Sequence, residues 1–338
     1  MDMRDFLSSL TCFTDLHLHL DGAVSVPSAR ALAALDGIAL PDDNELLSLL
    51  RVSDDCRDLN EFLEKFAFPC SLLGTREQLS LAVKNLTREL YDGGVMYAEI
   101  RFAPQKHTSR GLTQEDAVLS LLEGIEKSPI PVGLILCCMR DGSRDDNIET
   151  VRLAHRYLGK GVVAADLAGA EALYRTSGFG YVFDEAARLG VPLTVHAGEA
   201  DGADSVRSAL DGGSMRIGHG VRAVEDSTLV AVIARRGITL ELCPTSNIFT
   251  SVFGSIADFP LRRFLDAGVS VTVNTDDPSI EGTDIRREFQ LLCDTFTLTK
   301  DEVRRLLENS VKASFATPET KAGLFAKIAE QFTTIDRV

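Results

Sequence analysis

Eight short apolar segments recur along the chain, and segments with helical periodicity lie between them. In order, they read TDLHLHL, VMYAEIRFA, VGLILCCM, VVAADLAG, PLTVHAGE, RIGHGV, TLELCPTSN and VSVTVNTDDP. The intervening segments REQLSLAVKNLTRELYDGG and EDSTLVAVIARRG both end on glycine, which commonly terminates a helix. Strands that alternate with helices predict right-handed βαβ units and a parallel sheet. Eight such units in succession predict an α/β fold whose sheet closes into a (β/α)8 barrel of the TIM type.

The continuity of this series determines the predicted domain organisation. The chain has 338 residues, 45% of them apolar, and no linker or low-complexity segment interrupts the eight units. This length allows either one large barrel or two ordinary domains. Because the series is uninterrupted, we predict a single domain over residues 1–338, with an insertion at residues 24–74 after the first strand and additional helices at the C-terminus.

The charge and the cysteines limit the environment and the partners of the chain. The net charge is −15, which repels nucleic acid and anionic membranes and favours a small neutral or cationic partner, although such charge often serves solubility alone. The seven cysteines lack C-x-x-C spacing, and neither a signal peptide nor an apolar run long enough to span a membrane is present. We therefore expect a reduced, cytoplasmic protein, either a monomer or a simple homo-oligomer.

Polar residues are concentrated at or near the ends of the predicted strands. TIM barrels assemble their active sites at the carboxyl ends of the strands. These residues lie among Val, Ile, Leu and Ala, so most are expected to be buried, and each buried polar group without a partner costs about 2–7 kcal/mol. They therefore need partners, and a metal ion can supply one. The residues are His17, His19, Glu99, Gly169, His196, Glu199, His219, Asp276 and Asp277.

Four of these residues form a predicted metal site. His17 and His19 are two apart on one strand and so point to the same face. His196 and Asp276 follow on the fifth and eighth strands. Three imidazoles and one carboxylate match the ligand preferences of zinc and leave a position for water. We therefore predict one Zn²⁺ per chain.

Three further residues could belong to the site, and two of them also have a structural interpretation. Asp277 could serve as a helix N-cap, and Glu199 could be a solvated loop acid. His219 lies between two glycines, which let another group approach closely, and its predicted strand end faces the same rim. Together with the predicted metal ligands, all three are candidate site residues.

Six motifs are shared with a known family. TDLHLHLDGA, DLAG, TVHAGE, IGHG, CPTSN and NTDDP occur in an order and spacing that resemble the adenosine deaminase family, within the metal-dependent hydrolase superfamily of barrels. The resemblance covers about residues 10–320. It implies that His17, His19, His196 and Asp276 bind the zinc, that Glu199 protonates a ring nitrogen of the purine, and that His219 orients the attacking water and helps to remove its proton.

The resemblance also implies a substrate pocket. Asp277 would bind the imidazole-ring nitrogen of the purine, and the Gly169 N–H would bind the pyrimidine-ring nitrogen on the ribose side. Asp21 would bind a ribose hydroxyl. The segment LNEFLEKFAF resembles the lid helix of the family, in which Phe62 and Phe66 would wall the ribose pocket. One departure is visible, because the family commonly has GDE where this chain has GAE, with Ala170 in the middle.

The function implied is zinc-dependent hydrolytic deamination of adenosine, and of 2'-deoxyadenosine, with release of ammonia in purine salvage. Adenine or a modified adenosine, such as aminodeoxyfutalosine or methylthioadenosine, remains an alternative substrate. The zinc deaminases with H-x-E and P-C-x-x-C motifs are excluded, because the chain has neither motif. A two-metal barrel hydrolase is disfavoured, since no lysine ends the fourth strand, and a non-catalytic binding protein is disfavoured by the complete set of site residues.

Overall fold

Eight parallel strands form the wall of a barrel. The structure, a computed structural model, describes residues 2–53 and 55–335. The strands are β1 (Phe13–His19), β2 (Val95–Phe102), β3 (Val132–Met139), β4 (Val162–Ala168), β5 (Thr194–Ala197), β6 (Arg216–His219), β7 (Thr239–Leu242) and β8 (Ser270–Val273). Each lies within one residue of, or inside, a segment predicted from the sequence, so the predicted α/β barrel is confirmed.

The barrel wall consists of two four-stranded sheets, in the orders β1-β2-β3-β4 and β5-β6-β7-β8. Two seams join them. At one seam, the Ala165 N–H of β4 donates to the Pro192 carbonyl before β5, at 2.9 Å. At the other, the Asp276 N–H after β8 donates to the His17 carbonyl of β1, and the Asp276 carbonyl accepts from the His19 N–H, both at 2.8 Å. The second seam is therefore closed by residues that the sequence assigned to the metal site.

Helices cover the outside of the barrel. They are α1 (Met3–Ser9), α2 (Val26–Leu35), α3 (Asp43–Leu50), α4 (Leu59–Leu63), α5 (Ala67–Ser71), α6 (Arg76–Asp92), α7 (Gln114–Ile125), α8 (Arg144–Tyr157), α9 (Gly180–Leu189), α10 (Ala203–Asp211), α11 (Ser227–Arg236), α12 (Pro244–Phe249), α13 (Leu261–Asp266), α14 (Pro278–Glu281), α15 (Ile285–Phe296), α16 (Lys300–Ala313) and α17 (Pro318–Ile335). The predicted insertion holds α2–α5, and α14–α17 are the additional C-terminal helices. Within the described residues, no helix is both long and apolar enough to span a membrane.

The strands of the second half are shorter than their predicted segments. The backbone has a positive φ at Gly198 after β5, at His219 and Gly220 at the end of β6, and at Asp276 after β8. Each positive φ turns the chain out of the extended conformation. The polar ends of these segments therefore belong to the rim of the barrel and not to its wall.

The barrel interior contains a buried network of charges. Arg101 of β2 pairs with Asp166 of β4 at 2.9 Å and with Glu241 of β7 at 2.8 Å. Arg216, the first residue of β6, pairs with Glu241 and with Glu99, both at 2.6 Å. These side chains are at most 2% exposed, so every charge needs the partner that the barrel provides.

The sequence-based placement of Glu99 near the carboxyl end of its strand was wrong. Glu99 lies opposite Gly133 near the start of β3, three residues before the end of β2. It accepts hydrogen bonds from Tyr97 and from the Phe315 N–H, and it pairs with Arg216. Because β2 is eight residues long, Glu99 stays on the amino-terminal side of the barrel, where it stabilises the floor.

Candidate active site

Three imidazoles and one carboxylate meet at the carboxyl ends of β1, β5 and β8. The His196 Nε2 atom lies 3.0 Å from Nε2 of His17 and 3.2 Å from Nε2 of His19. The Asp276 Oδ1 atom lies 3.1 Å from Nε2 of His17 and 3.4 Å from Nε2 of His19. Four ligands about 2.0–2.1 Å from a tetrahedral zinc ion are themselves about 3.3 Å apart. The separations of these donor atoms therefore fit such an ion.

Burial keeps two of these imidazoles in the form that a metal requires. It lowers the pKa of His19 well below its usual value and also lowers the pKa of His196. Metal ligands must be deprotonated, so neutral imidazoles are ready to bind.

Two buried carboxylates orient the imidazoles from behind. The His17 Nδ1 atom lies 2.8 Å from Glu241, and the His196 Nδ1 atom lies 2.9 Å from Asp166. A carboxylate at Nδ1 fixes the tautomer that leaves Nε2 free for a metal ion. Burial favours the neutral form of Glu241, but Arg216 and Arg101 outweigh it and hold the pKa of Glu241 well below its usual range. Neither carboxylate was predicted from the sequence to belong to the site, although each is an acid inside an apolar strand.

The backbone of Asp276 is unusual because the seam between β8 and β1 requires it. Asp276 has a φ of 57°, which is uncommon for a residue other than glycine. Its two backbone hydrogen bonds to β1 hold this conformation and aim the carboxylate at the imidazoles.

His219 lies beside the other histidines, with its ring centroid 4.8 Å from that of His17 and 5.3 Å from that of His196. Its Nε2 atom is 3.6 Å from Oδ2 of Asp276 and 3.6 Å from Oε2 of Glu199. The amide of Asn247 lies 3.2 Å from its Nδ1 atom and restrains the ring. The preceding Gly218 is required because a Cβ there would lie 2.8 Å from the His17 ring. His219 therefore faces both an acid and the predicted metal site.

Glu199 is a buried acid. It is 5% exposed and accepts a hydrogen bond from Thr250 at 3.2 Å, so it is not a solvated loop acid. Burial, together with the charges of Asp276 and Glu171, raises the pKa of Glu199 to about 8. A carboxyl group with such a pKa can donate a proton at neutral pH.

Asp277 is also buried, and it does not cap a helix. It occupies the N-cap position of α14 but makes no side-chain capping bond. Its Oδ1 atom is buried and has no hydrogen-bond partner among the residues that the structure describes. Burial and the neighbouring charges of Asp276 and Asp21 raise its pKa well above the usual value. Asp277 is thus available to donate a hydrogen bond to a bound molecule.

A small cavity of about 40 Å³ lies above these groups. Gly169 lines it, with a φ of 103° that favours glycine, and Phe62 and Phe66 of the lid segment cover it. Asp21 does not line this cavity; its Oδ2 atom accepts from the Cys70 thiol at 3.5 Å, and its Oδ1 atom is buried without a partner. The structure therefore brings together every predicted site residue except Asp21, which lies against Cys70 of α5.

Comparisons with known proteins agree with this geometry. The family model described as Adenosine deaminase matches residues 13–331. The adenosine deaminase of Haemophilus ducreyi is 46% identical over 329 residues, which cover 94% of this chain and 96% of the relative. The adenosine deaminase of Enterococcus faecalis is 34% identical, with 94% and 96% covered.

Solved structures share the same fold. The adenine deaminase from Arthrobacter aurescens superposes with a TM-score of 0.85 at 30% identity and covers 95% of this chain and 99% of its own. The N6-mAMP deaminase of Arabidopsis has a TM-score of 0.85 at 24% identity, with 96% and 99% covered, which shows the fold alone. From its sequence and its barrel, the chain belongs to the adenosine deaminase family.

Proposed function

We propose that the chain catalyses the hydrolytic deamination of adenosine, and of 2'-deoxyadenosine, with one zinc ion per chain. The observation that carries this proposal is the position of the buried acid Glu199, close to His219 and to four donor atoms with the separations of a tetrahedral metal site. The relatives named adenosine deaminase, up to 46% identical, support adenosine as the substrate. The entire chain, residues 1–338, would act as one deaminase domain.

His17, His19, His196 and Asp276 would hold the zinc, which when bound activates water for attack at neutral pH. His219 would orient the attacking water and accept its proton. Glu199 would donate its proton to the ring nitrogen beside the amine-bearing carbon, which removes the negative charge that otherwise builds there. Asp277 would donate a hydrogen bond to the imidazole-ring nitrogen, and the Gly169 N–H would donate to the pyrimidine-ring nitrogen on the ribose side. The ring is then held with its amine-bearing carbon facing the water. The amine would take the proton held by His219 and leave as ammonia, while the new hydroxyl group would return a proton to Glu199 as the carbonyl forms.

Deamination of free adenine is the second candidate. The adenine deaminase from Arthrobacter aurescens, at 30% identity and a TM-score of 0.85, favours this candidate. Asp21 argues for a nucleoside, because its Oδ1 atom, which has no partner among the described residues, offers an acceptor to a sugar hydroxyl. Both candidates use the same metal site and the same acid, so only the ribose distinguishes them.

The test is a panel of adenosine, 2'-deoxyadenosine, adenine, methylthioadenosine and aminodeoxyfutalosine. Deamination is followed by ultraviolet absorbance, and metal is measured on the same preparation. We expect kcat/KM for adenosine to exceed that for adenine by at least about 100-fold, or about 2.7 kcal/mol, with close to one zinc ion per chain. Equal turnover of adenine would assign the chain to the adenine deaminases, and two metal ions per chain would favour a two-metal hydrolase.

A further inference from the structure

A single buried carboxylate holds the loop that carries Glu199. Glu171 lies two residues after Gly169 and is 1% exposed. Its oxygens accept hydrogen bonds from four successive backbone N–H groups after β5: Oε1 from Gly198 at 2.7 Å, and Oε2 from Glu199 at 3.0 Å, Ala200 at 2.7 Å and Asp201 at 3.0 Å. The Ser205 hydroxyl of α10 donates a fifth hydrogen bond, to Oε1.

We propose that Glu171 is the positioning residue for Glu199, and that it couples the position of this acid to the Gly169 contact with the purine ring. The proposal rests on the proposed function, because it takes Glu199 as the proton donor. Glu171 itself would touch no substrate. It would act only through the backbone of residues 198–201.

The chemistry of this cluster requires a carboxylate. All five neighbours of Glu171 are donors, and they are shared between both of its oxygens. An ionised carboxylate accepts at both oxygens, whereas a glutamine amide accepts only at one. In Glu171→Gln, an NH₂ group would replace one of the two carboxylate oxygens. This NH₂ group would face the donors from which that oxygen accepts, so the loop would have to move. The backbone of Glu199 would be displaced with it.

Further hydrogen bonds connect Glu171 to the loop after β3. Ser205 lies 2.6 Å from the Thr176 hydroxyl, which accepts from Arg140 at 2.9 Å. The same guanidinium group donates to the His196 carbonyl at 2.7 Å. The loops after β3, β4 and β5 are thus connected at the seam where the two half-barrels meet. A carboxylate so firmly held can set the position of an acid to the fraction of an ångström that proton transfer requires.

The alternative is that Glu171 stabilises the fold and has no specific effect on Glu199. A double-mutant cycle distinguishes the two, because a residue that acts through Glu199 has nothing to act on once Glu199 is replaced. The variants are Glu171→Gln, Glu199→Gln and the double variant, assayed at high enzyme concentration on the best substrate of the purine panel. Thr150→Val is the matched control. It removes a buried hydrogen bond to Gln114 between outer helices α7 and α8, and so it loses stability far from the site.

We expect Glu171→Gln to lower kcat by about 10- to 100-fold while KM changes by less than about 3-fold and the metal content is unchanged. In the Glu199→Gln background, the same change should lower kcat by less than about 3-fold. Thr150→Val should keep the wild-type kcat. Equal losses in both backgrounds, or a wild-type kcat in Glu171→Gln, would overturn the proposal.

If Glu171→Gln does not fold, Ser205→Ala removes one of the five hydrogen bonds and tests the same dependence on Glu199. A loss of kcat that disappears in the Glu199→Gln background supports the proposal, and a loss that persists there refutes it. The proposed function is judged separately, by whether the wild-type protein deaminates any purine in the panel.

Discussion

At the scale of single residues, Glu199 can be separated from the metal site. Its carboxyl group is not among the four closely spaced donor atoms, and its side chain bonds to Thr250. Glu199→Gln keeps the size and the hydrogen-bond acceptor but cannot donate an acidic proton. We expect this variant to keep its zinc and to lose about 10²- to 10⁴-fold in kcat, with little change in KM. Steady-state kinetics with metal analysis measure both, and a near-wild-type rate would remove Glu199 from the mechanism.

Glu288 is a buried acid away from the metal site, and its titration should make the stability of the barrel depend on pH. It is 1% exposed and accepts hydrogen bonds from Thr245 and Thr283. Burial raises the pKa of Glu288 to about 7, from the ordinary value of 4.5 for a free side chain. Between these two values, the unfolded chain loses its proton first. The stability from this group is therefore complete below pH 4.5 and is lost as pH rises to about 7.

In that window, the free energy of unfolding should fall by up to about 1.4 kcal/mol per pH unit because of Glu288. Glu288→Gln remains neutral at every pH, so it should lack this contribution. Urea unfolding of the metal-free protein at several pH values, wild type against variant, isolates the difference from all other titrating groups. Parallel pH dependences in the two proteins would show that Glu288 does not titrate in this window.

At the scale of elements, the eight strands could be predicted because each is a local apolar pattern. The ends of β5–β8 could not, because the positive φ at His219 and Asp276 depends on contacts with distant strands. The carboxylates behind the histidines were missed for the same reason. The partners of Asp166 and Glu241 are 30 and 224 residues away, at His196 and His17, so only the closed barrel shows what they bind.

The lid segment covers the cavity of the candidate site. Its residues Leu59 and Phe62 belong to a small apolar cluster, apart from the main core, that also contains Val52, Cys56 and Ile280. The cavity beneath it is about 40 Å³, whereas pockets that hold drug-sized ligands are about 300–1,000 Å³. We therefore expect α4 and the turn after it to move outward when a nucleoside binds, which exposes Asp21 to the ribose.

Phe62→Ala tests the lid. Phe62 is 2% exposed and packs edge-on against Phe66, with ring centroids 6.2 Å apart. If the lid walls the ribose, truncation should reduce kcat/KM for adenosine by about 10-fold or more and leave that for adenine within about 3-fold. Phe332→Ala, which truncates a buried aromatic side chain of α17, is the matched control. Equal losses for adenosine and adenine in Phe62→Ala would show that the lid does not recognise the sugar.

At the scale of the whole molecule, the predicted ligands lie at both seams of the barrel. His17, His19 and Asp276 border the seam between β8 and β1. His196 follows the other seam, where its Nδ1 atom lies 2.9 Å from Asp166 of β4. A metal ion bound to all four side chains would therefore link the two half-barrels at their carboxyl ends. Binding to the folded state alone stabilises a protein in proportion to the logarithm of ligand concentration over Kd.

Zinc should therefore raise the melting temperature. At a free zinc concentration about 1,000 times Kd, the expected gain is about 4 kcal/mol, or a rise in Tm of about 6 °C for a chain of this size. Asp276→Asn should abolish both the rise and the activity. Its backbone should tolerate the change, since asparagine also adopts positive φ.

Glu99→Gln serves as the control for this prediction, because Glu99 stabilises the opposite end of the barrel and lies on the floor with Arg216. It should lower Tm with and without metal by the same amount, and so keep the full zinc-dependent rise. Differential scanning calorimetry of the metal-free and zinc-loaded forms measures all three proteins. A zinc-dependent rise that survives in Asp276→Asn would mean that the stabilising ion binds elsewhere, because the seam between β8 and β1 would then lack its carboxylate ligand.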